Sequence, residues 1–206
     1  MSVTKQHYIE HLGIKILRST HPDVRKIKRL QSGHSAHGNK VWRSSFALID
    51  YLETYPFEEA SKVLEIGCGW GLAGLYLTKN QKTKVTGIDI DPSVKPYFEL
   101  QNKINHCSQA FEARGFESFD EKQLQSFDYL IGTDICFWDE LTTPLFELIK
   151  QARAANIEKI LISDPGRSPF WALAERCVNQ LNAEVITRRI DSPWKSEKYI
   201  LVINAI

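Results

Sequence analysis

The sequence predicts an α/β fold: a doubly wound, seven-stranded, mostly parallel sheet with a C-terminal antiparallel hairpin and an N-terminal helical extension. Three observations predict it. Short apolar runs alternate with stretches of helical spacing along most of the chain. The first run, Lys62–Ile66, leads into glycines at alternate positions, Gly67, Gly69 and Gly71, and the next run ends on Asp89. The last two strand-like runs, Glu184–Ile190 and Lys198–Ile203, have no helical crossover between them. Parallel neighbours need a long crossover, so that final gap fits an antiparallel hairpin.

Residues 1–40 are a basic, partly helical extension, with Ile9 to Leu17 at amphipathic spacing; residues 41–206 form the α/β domain. Gln31–Asn39 is a small-polar loop. Phe46, Ala47, Ile49, Leu52 and Tyr55 recur at helical spacing. Lys62–Ile66 is a strand and Leu72–Thr78 a helix. Lys84–Ile90 is a strand, after which Asp91-Pro92 opens a helix, Asp as cap and Pro in the first turn. Gln109–Glu112 is a short strand and Phe127–Thr133 a strong one. Leu145–Ala155 is a helix and Lys159–Ser163 a strand. Asp164-Pro165-Gly166 breaks it, and Pro169–Asn179 is the last helix. Five β-α units and a hairpin make seven strands, with helices on both faces.

The 206 residues suit one domain with a short extension, and 26 Lys and Arg nearly balance 25 Asp and Glu. The distribution is uneven. His11 to Ile49 holds eight cations (Lys15, Arg18, Arg25, Lys26, Lys28, Arg29, Lys40, Arg43) against Asp23 alone. Such a stretch is either a solvated face or a docking surface for an acidic protein. No Phe, Tyr or Trp lies between Leu12 and Val41 to stack on bases, so nucleic acid is not an expected partner. Four scattered cysteines, Cys68, Cys107, Cys136 and Cys177, form neither a zinc pattern nor a disulfide framework. The N-terminus lacks the apolar core of a signal peptide, and no run is long enough to span a membrane. A cytoplasmic protein is expected.

Two cofactors compete for the glycine turn. Gly69-x-Gly71-x-x-Gly74 matches the dinucleotide fingerprint, with Asp89 following as a ribose-binding acid. The register argues against NAD. The first glycine of that fingerprint belongs at the strand end, where Gly67 stands, and counting from there the third position is Leu72. Glu65 also places a carboxylate beside the turn, where a pyrophosphate is repelled. A cofactor with a cationic methionine portion and no phosphate escapes that repulsion.

Glu65-x-Gly67-x-Gly69-x-Gly71 followed by Asp89 resembles the class I S-adenosylmethionine-dependent methyltransferases, over roughly residues 40–206. The resemblance implies a Rossmann-like fold with S-adenosyl-L-methionine as cofactor. It places Glu65, Gly67, Cys68, Gly69, Gly71, Asp89 and Ile90 around that cofactor. Asp134-Ile135-Cys136-Phe137 is similar to the Asp-x-x-Tyr/Phe motif of the seven-β-strand protein-lysine methyltransferases. Trp42 stands where that family carries a cofactor-contacting Trp. Asp164-Pro165-Gly166-Arg167 resembles the branch that methylates the β subunit of electron-transfer flavoprotein. Where the family often has Trp-Gly after its third strand, this chain has Gly115-Phe116, and Phe116 is expected to cover an adenine face.

Methyl transfer from a sulfonium is an in-line displacement in which positioning does much of the work, and it needs no metal. An amine acceptor must be neutral at attack, yet free lysine has a pKa of ~10.4. Asp134, at the carboxyl end of a central strand, is the expected catalytic group that orients the amine; its other reading is a cap for the helix after it. Phe137 is expected to face the cation or the lysine stem, or else to pack in the core. Trp42 closes over the methionine end or anchors the extension. Thr133 lies beside the cofactor. Arg167 and Trp138 are placed on the substrate, Arg167 through an acidic group. His34 and His37 have no Cys or acid at ligand spacing, so no metal is expected. A lysine methyltransferase thus leads. A small-molecule methyltransferase with residues 1–40 as a lid, and a cofactor-binding module without turnover, are its rivals.

Overall fold

The computed structural model describes residues 7–31, 38 and 40–205. Of the small-polar loop expected at 31–39 only Gln31 and Gly38 fall among them, and His34 and His37 lie outside the described residues.

The chain begins with two short strands, β1 (Tyr8–His11) and β2 (Ile14–Leu17), paired antiparallel. This corrects the helical expectation for Ile9–Leu17. Leu12 and Gly13 both take positive φ, 42° and 78°, which turns the chain before a helix can propagate. Ile14 and Ile16 then alternate inward around exposed Lys15, a period of two. Helix α1 (Pro22–Leu30) follows, capped by His21.

The rest follows the expected alternation closely. Helix α2 (Ser44–Thr54) precedes β3 (Lys62–Ile66), α3 (Leu72–Asn80) and β4 (Lys84–Asp89). A 3-10 turn (Pro92–Val94), capped by the Asp91 carboxylate as expected, opens α4 (Lys95–Asn105). Then come β5 (Ala110–Ala113), the short α5 (Glu121–Leu124), β6 (Tyr129–Thr133) and α6 (Thr142–Ala154). The chain ends with β7 (Lys159–Asp164), α7 (Ser168–Leu181), β8 (Glu184–Ile190) and β9 (Ser196–Asn204).

The seven-stranded sheet has the order β5-β4-β3-β6-β7-β9-β8. Its first five strands are parallel, and β9 runs antiparallel to both β7 and β8. Alternation divides the core. Leu64, Ile66, Leu130, Ile160 and Ile162 pack with Leu145, Ile149 and Phe170 of α6 and α7 on one face. Val63, Val85, Ile131 and Leu161 pack with Phe46, Ile49 and Leu75 of α2 and α3 on the other. The N-terminal hairpin joins the second face. Asn105 of α4 bonds both the N–H and the carbonyl of Lys15, each at 2.7 Å. The connections reverse direction between β3 and β6, and the crevice outside the carboxyl ends of those strands is where such sheets hold ligands.

Candidate active site

A cavity of about 330 Å³ opens at that reversal, within the size range of small-molecule sites. The turn after β3 forms its floor. Cys68 N–H bonds Ile88 O at 2.9 Å and Gly71 N–H bonds Cys68 O at 2.7 Å, which folds the turn back on itself. Gly67, Gly69 and Gly71 all have positive φ. Gly71 begins α3, and a Cβ there would collide with Phe98. At Gly69 a Cβ would meet nothing within 4 Å, because that face of the turn is the cavity itself.

Asp89 braces the turn. Its Oδ2 accepts from Gly69 N–H and its Oδ1 from Asp91 N–H, both at 2.9 Å. Burial raises its pKa, and the two backbone N–H groups oppose the rise. A carboxylate oxygen can accept more than one bond, so Asp89, on the cavity wall, still has lone pairs for a pair of ribose hydroxyls. Ile90, 77% exposed, and Phe116 line the same end and offer apolar cover to a planar base. The residues present fit a nucleoside cofactor at this end.

Strand alternation sends Glu65 elsewhere. It is buried behind the turn on the α3 face, does not line the cavity, and accepts Gly74 N–H through Oε2 at 3.2 Å. Burial lifts its pKa to about 8, so at neutral pH it keeps its proton. This corrects the expectation of a carboxylate repelling a pyrophosphate; Asp89, Asp91 and Glu117, all on the cavity wall, are the acids at that end. Cys68 and Gly71 also lie off the wall: the Cys68 side chain is buried toward Gly87.

The opposite end of the cavity is formed by Trp42, Thr133, Asp134, Phe137 and Trp138. Asp134 is only 4% exposed and has φ 55°. Its Oδ2 accepts from Ser44 N–H at 2.9 Å, so it caps α2, not the segment after itself. Its Oδ1 accepts from Arg167 Nη2 at 3.1 Å. Arg167 also donates from Nη1 to Asp164 Oδ2 at 2.6 Å. The guanidinium lies 4.3 Å from the Phe137 ring centroid, and Phe137 meets Trp42 edge to face at 4.9 Å. Arg167 is therefore engaged with two carboxylates and lies off the cavity wall, which corrects its expected place on an acidic substrate group. Trp138, 48% exposed, stands at the rim.

Several residues here escaped sequence reasoning. Ser45 Oγ bonds Thr133 Oγ1 at 3.0 Å and Ser163 Oγ donates to Ser44 O at 3.1 Å, tying α2 to the ends of β6 and β7. Trp70 Nε1 holds Gly38 O at 2.8 Å, which brings Gly38 to the cavity. Isolated serines carry no sequence signal. The Asp164–Arg167 motif did, but without its partner.

Fold and cavity define the class, a Rossmann-like methyltransferase fold. A methyltransferase from Pyrococcus furiosus superposes with a TM-score of 0.62 at 16% identity, covering 89% of this chain and 95% of that one. A Pyrococcus abyssi tRNA (uracil-54, C5)-methyltransferase, solved with S-adenosyl-L-homocysteine, superposes at 0.58 and 18% identity, covering 96% of this chain and 43% of that one. Residues 22–168 match the lysine methyltransferase family model, and the chain belongs to that family. The electron transfer flavoprotein beta subunit lysine methyltransferase of Xenopus laevis is 27% identical over 131 residues, 63% of this chain and 52% of that protein. A histidine protein methyltransferase 1 homolog of Bos taurus is also 27% identical, over 57% of this chain and 35% of that protein. The chain thus spans about half the length, or less, of these curated relatives.

Proposed function

We propose that the protein is an S-adenosylmethionine-dependent N-methyltransferase acting on a lysine side chain of a protein, in the cytoplasm. One observation carries this reading. The buried carboxylate of Asp134 and the rings of Trp42 and Phe137 share a cavity with the Gly69–Asp89 cradle. The family relationship and the beta-subunit lysine methyltransferase relative support the choice of lysine.

When bound, the cofactor supplies a methyl group on a cationic sulfur. Asp89 holds the ribose and Gly69 lets the backbone approach. Asp134 draws an incoming ammonium and accepts a hydrogen bond from it, orienting the nitrogen toward the methyl group. Trp42 and Phe137 exclude water around the aliphatic stem, and desolvation beside a cationic sulfur favours the neutral amine. An arriving ammonium must first give up one proton, to Asp134 or to solvent, so that its nitrogen has a lone pair; the bound cofactor would then supply the methyl group to that nitrogen. The exposed cations of α1 serve as a docking face for an acidic substrate surface.

The test is a native cell lysate incubated with methyl-labelled S-adenosylmethionine and this protein. Label in one protein band, mapped to lysine, is the expected result. Label only in the small-molecule fraction rejects the protein substrate. Tight S-adenosylhomocysteine binding with no transfer to any fraction points to a module without turnover.

A further inference from the structure

One guanidinium serves two buried carboxylates. Arg167 reaches Asp164 at 2.6 Å and Asp134 at 3.1 Å, so its closer pairing is with the residue farther from the cavity. Asp164 has no exposed surface and does not line the cavity wall. Its partners all donate: Gly166 N–H and Arg167 N–H to Oδ1, both at 2.9 Å, and Arg167 Nη1 to Oδ2. That set fits an ionised carboxylate, which only accepts. Burial raises its pKa, while the Arg167 N–H and guanidinium oppose the rise. Asp134 is likewise held by donors only, Ser44 N–H and Arg167 Nη2.

Two negative charges against one positive leave the cluster with one net negative charge. Among the described residues no other cation pairs with either carboxylate. Burial pushes the Cys136 thiol well up, so it is neutral. The Lys40 ammonium lies over the Trp42 ring and the Arg43 guanidinium over the Trp194 ring. Were Asp164 absent, the guanidinium would belong wholly to Asp134 and the cluster would carry no net charge.

We propose that Asp164 is a positioning residue: by occupying Arg167 it leaves Asp134 its negative charge, and so makes the site select methyl acceptors that arrive as cations. The chemical class is an alkylammonium, in preference to a neutral imidazole, amide or base nitrogen. Inside a site of low dielectric, one unit of charge a few ångströms from a cationic ligand changes its affinity by about tenfold or more. This proposal rests on the cavity being the cofactor site, and it needs no protein substrate to test.

Calorimetry with two cofactor analogues reads the charge directly. Sinefungin carries an ammonium-bearing carbon where the methylated sulfur belongs, and S-adenosylhomocysteine carries a neutral thioether there. The ratio of their affinities reports the charge facing the transferred methyl group. Asp164→Asn is expected to lower the preference for sinefungin about tenfold while leaving S-adenosylhomocysteine affinity unchanged. Asp164→Asn combined with Arg167→Met leaves Asp134 as the only charge of the cluster, and the preference is expected to return to the wild-type value. A purely structural role for Asp164 predicts the opposite, a double variant worse than the single one. Asp134→Asn keeps the 164–167 turn intact and is expected to lose the same preference, which keeps the proposal testable even if Asp164→Asn does not fold. A wild-type ratio in Asp164→Asn or Asp134→Asn, or no recovery in the double variant, overturns it. Failure of the wild-type protein to bind S-adenosylhomocysteine would instead sink the cofactor reading beneath it.

Discussion

The backbone N–H of Ser44 donates to the carboxylate of Asp134 at 2.9 Å across 90 positions of sequence. The helix that follows Trp42 therefore starts on the acid that follows the central strand β6. With the Ser45–Thr133 and Ser163–Ser44 bonds, this pins the segment carrying Trp42 against the ends of β6 and β7. One side chain thus joins the Trp42 end of the cavity to the start of α2.

That double duty separates two substitutions. Asp134→Asn keeps an acceptor for Ser44, and Asn tolerates the left-handed φ of 55°. Asp134→Ala leaves the Ser44 N–H without its bond, whereas both variants cost Arg167 a carboxylate partner, since an Asn that keeps its oxygen on Ser44 turns its NH2 toward the guanidinium. The Ala variant is expected to be about 2 kcal/mol less stable than the Asn variant by urea unfolding, and both to lose methyl transfer at least about 100-fold. Equal stability of the two would show that the cap contributes nothing, and full transfer by Asp134→Ala would remove its catalytic role.

Glu65 imprints a pH dependence on folding. Its pKa is about 8 in the folded state against an ordinary 4.5, because burial disfavours the charge. Below pH 4.5 both states hold the proton. Between 4.5 and 8 the unfolded chain has released it and the folded protein has not, so stability falls as pH rises, by ~1.4 kcal/mol per unit at most. Glu65→Gln, which keeps an acceptor for Gly74 N–H, is expected to lack this slope. Urea midpoints from pH 5 to 8.5 measure it, and coincident profiles for the two proteins would refute it.

Gly69→Ala tests the cradle. A methyl group at φ 52° strains the backbone by about 1 kcal/mol, and it projects into the open cavity. The variant is expected to fold but to bind S-adenosylhomocysteine at least about tenfold more weakly in calorimetry. Unchanged affinity would mean that the ligand does not approach the turn.

Helix α1 bears Arg25, Lys26, Lys28 and Arg29, all exposed, while its Val24 is buried. Reversing these four charges to Glu is expected to raise KM for the protein substrate severalfold and to leave S-adenosylhomocysteine affinity alone. The wild-type KM should rise with salt and the variant's should not. A fall in kcat with KM unchanged would show that α1 acts on the site and not on docking.

Much of the fold was legible because its signals are local. The run Lys62–Ile66 is a strand with the expected bounds, and Asp91-Pro92 opens the next helical segment as predicted. The glycine turn stood out because positive φ at Gly67, Gly69 and Gly71 demands that residue. The hairpin at Tyr8–Leu17 was missed because amphipathic spacing over nine residues suits a helix as well as two short strands; the Leu12–Gly13 turn and the Asn105 contacts with Lys15 settle it.

The sequence by itself determined where the seven strands of the main sheet fall along the chain, the turn at 67–71 and the acid at Asp89, since periodicity and turn chemistry depend on neighbours a few residues apart. Only the tertiary structure decided where charges reside. The Asp134–Arg167 contact spans 33 positions and the Ser44–Asp134 bond 90. The Glu65 proton depends on a burial that no local pattern records. Ion pairing and desolvation follow from distance in space, and the sheet order sets those distances.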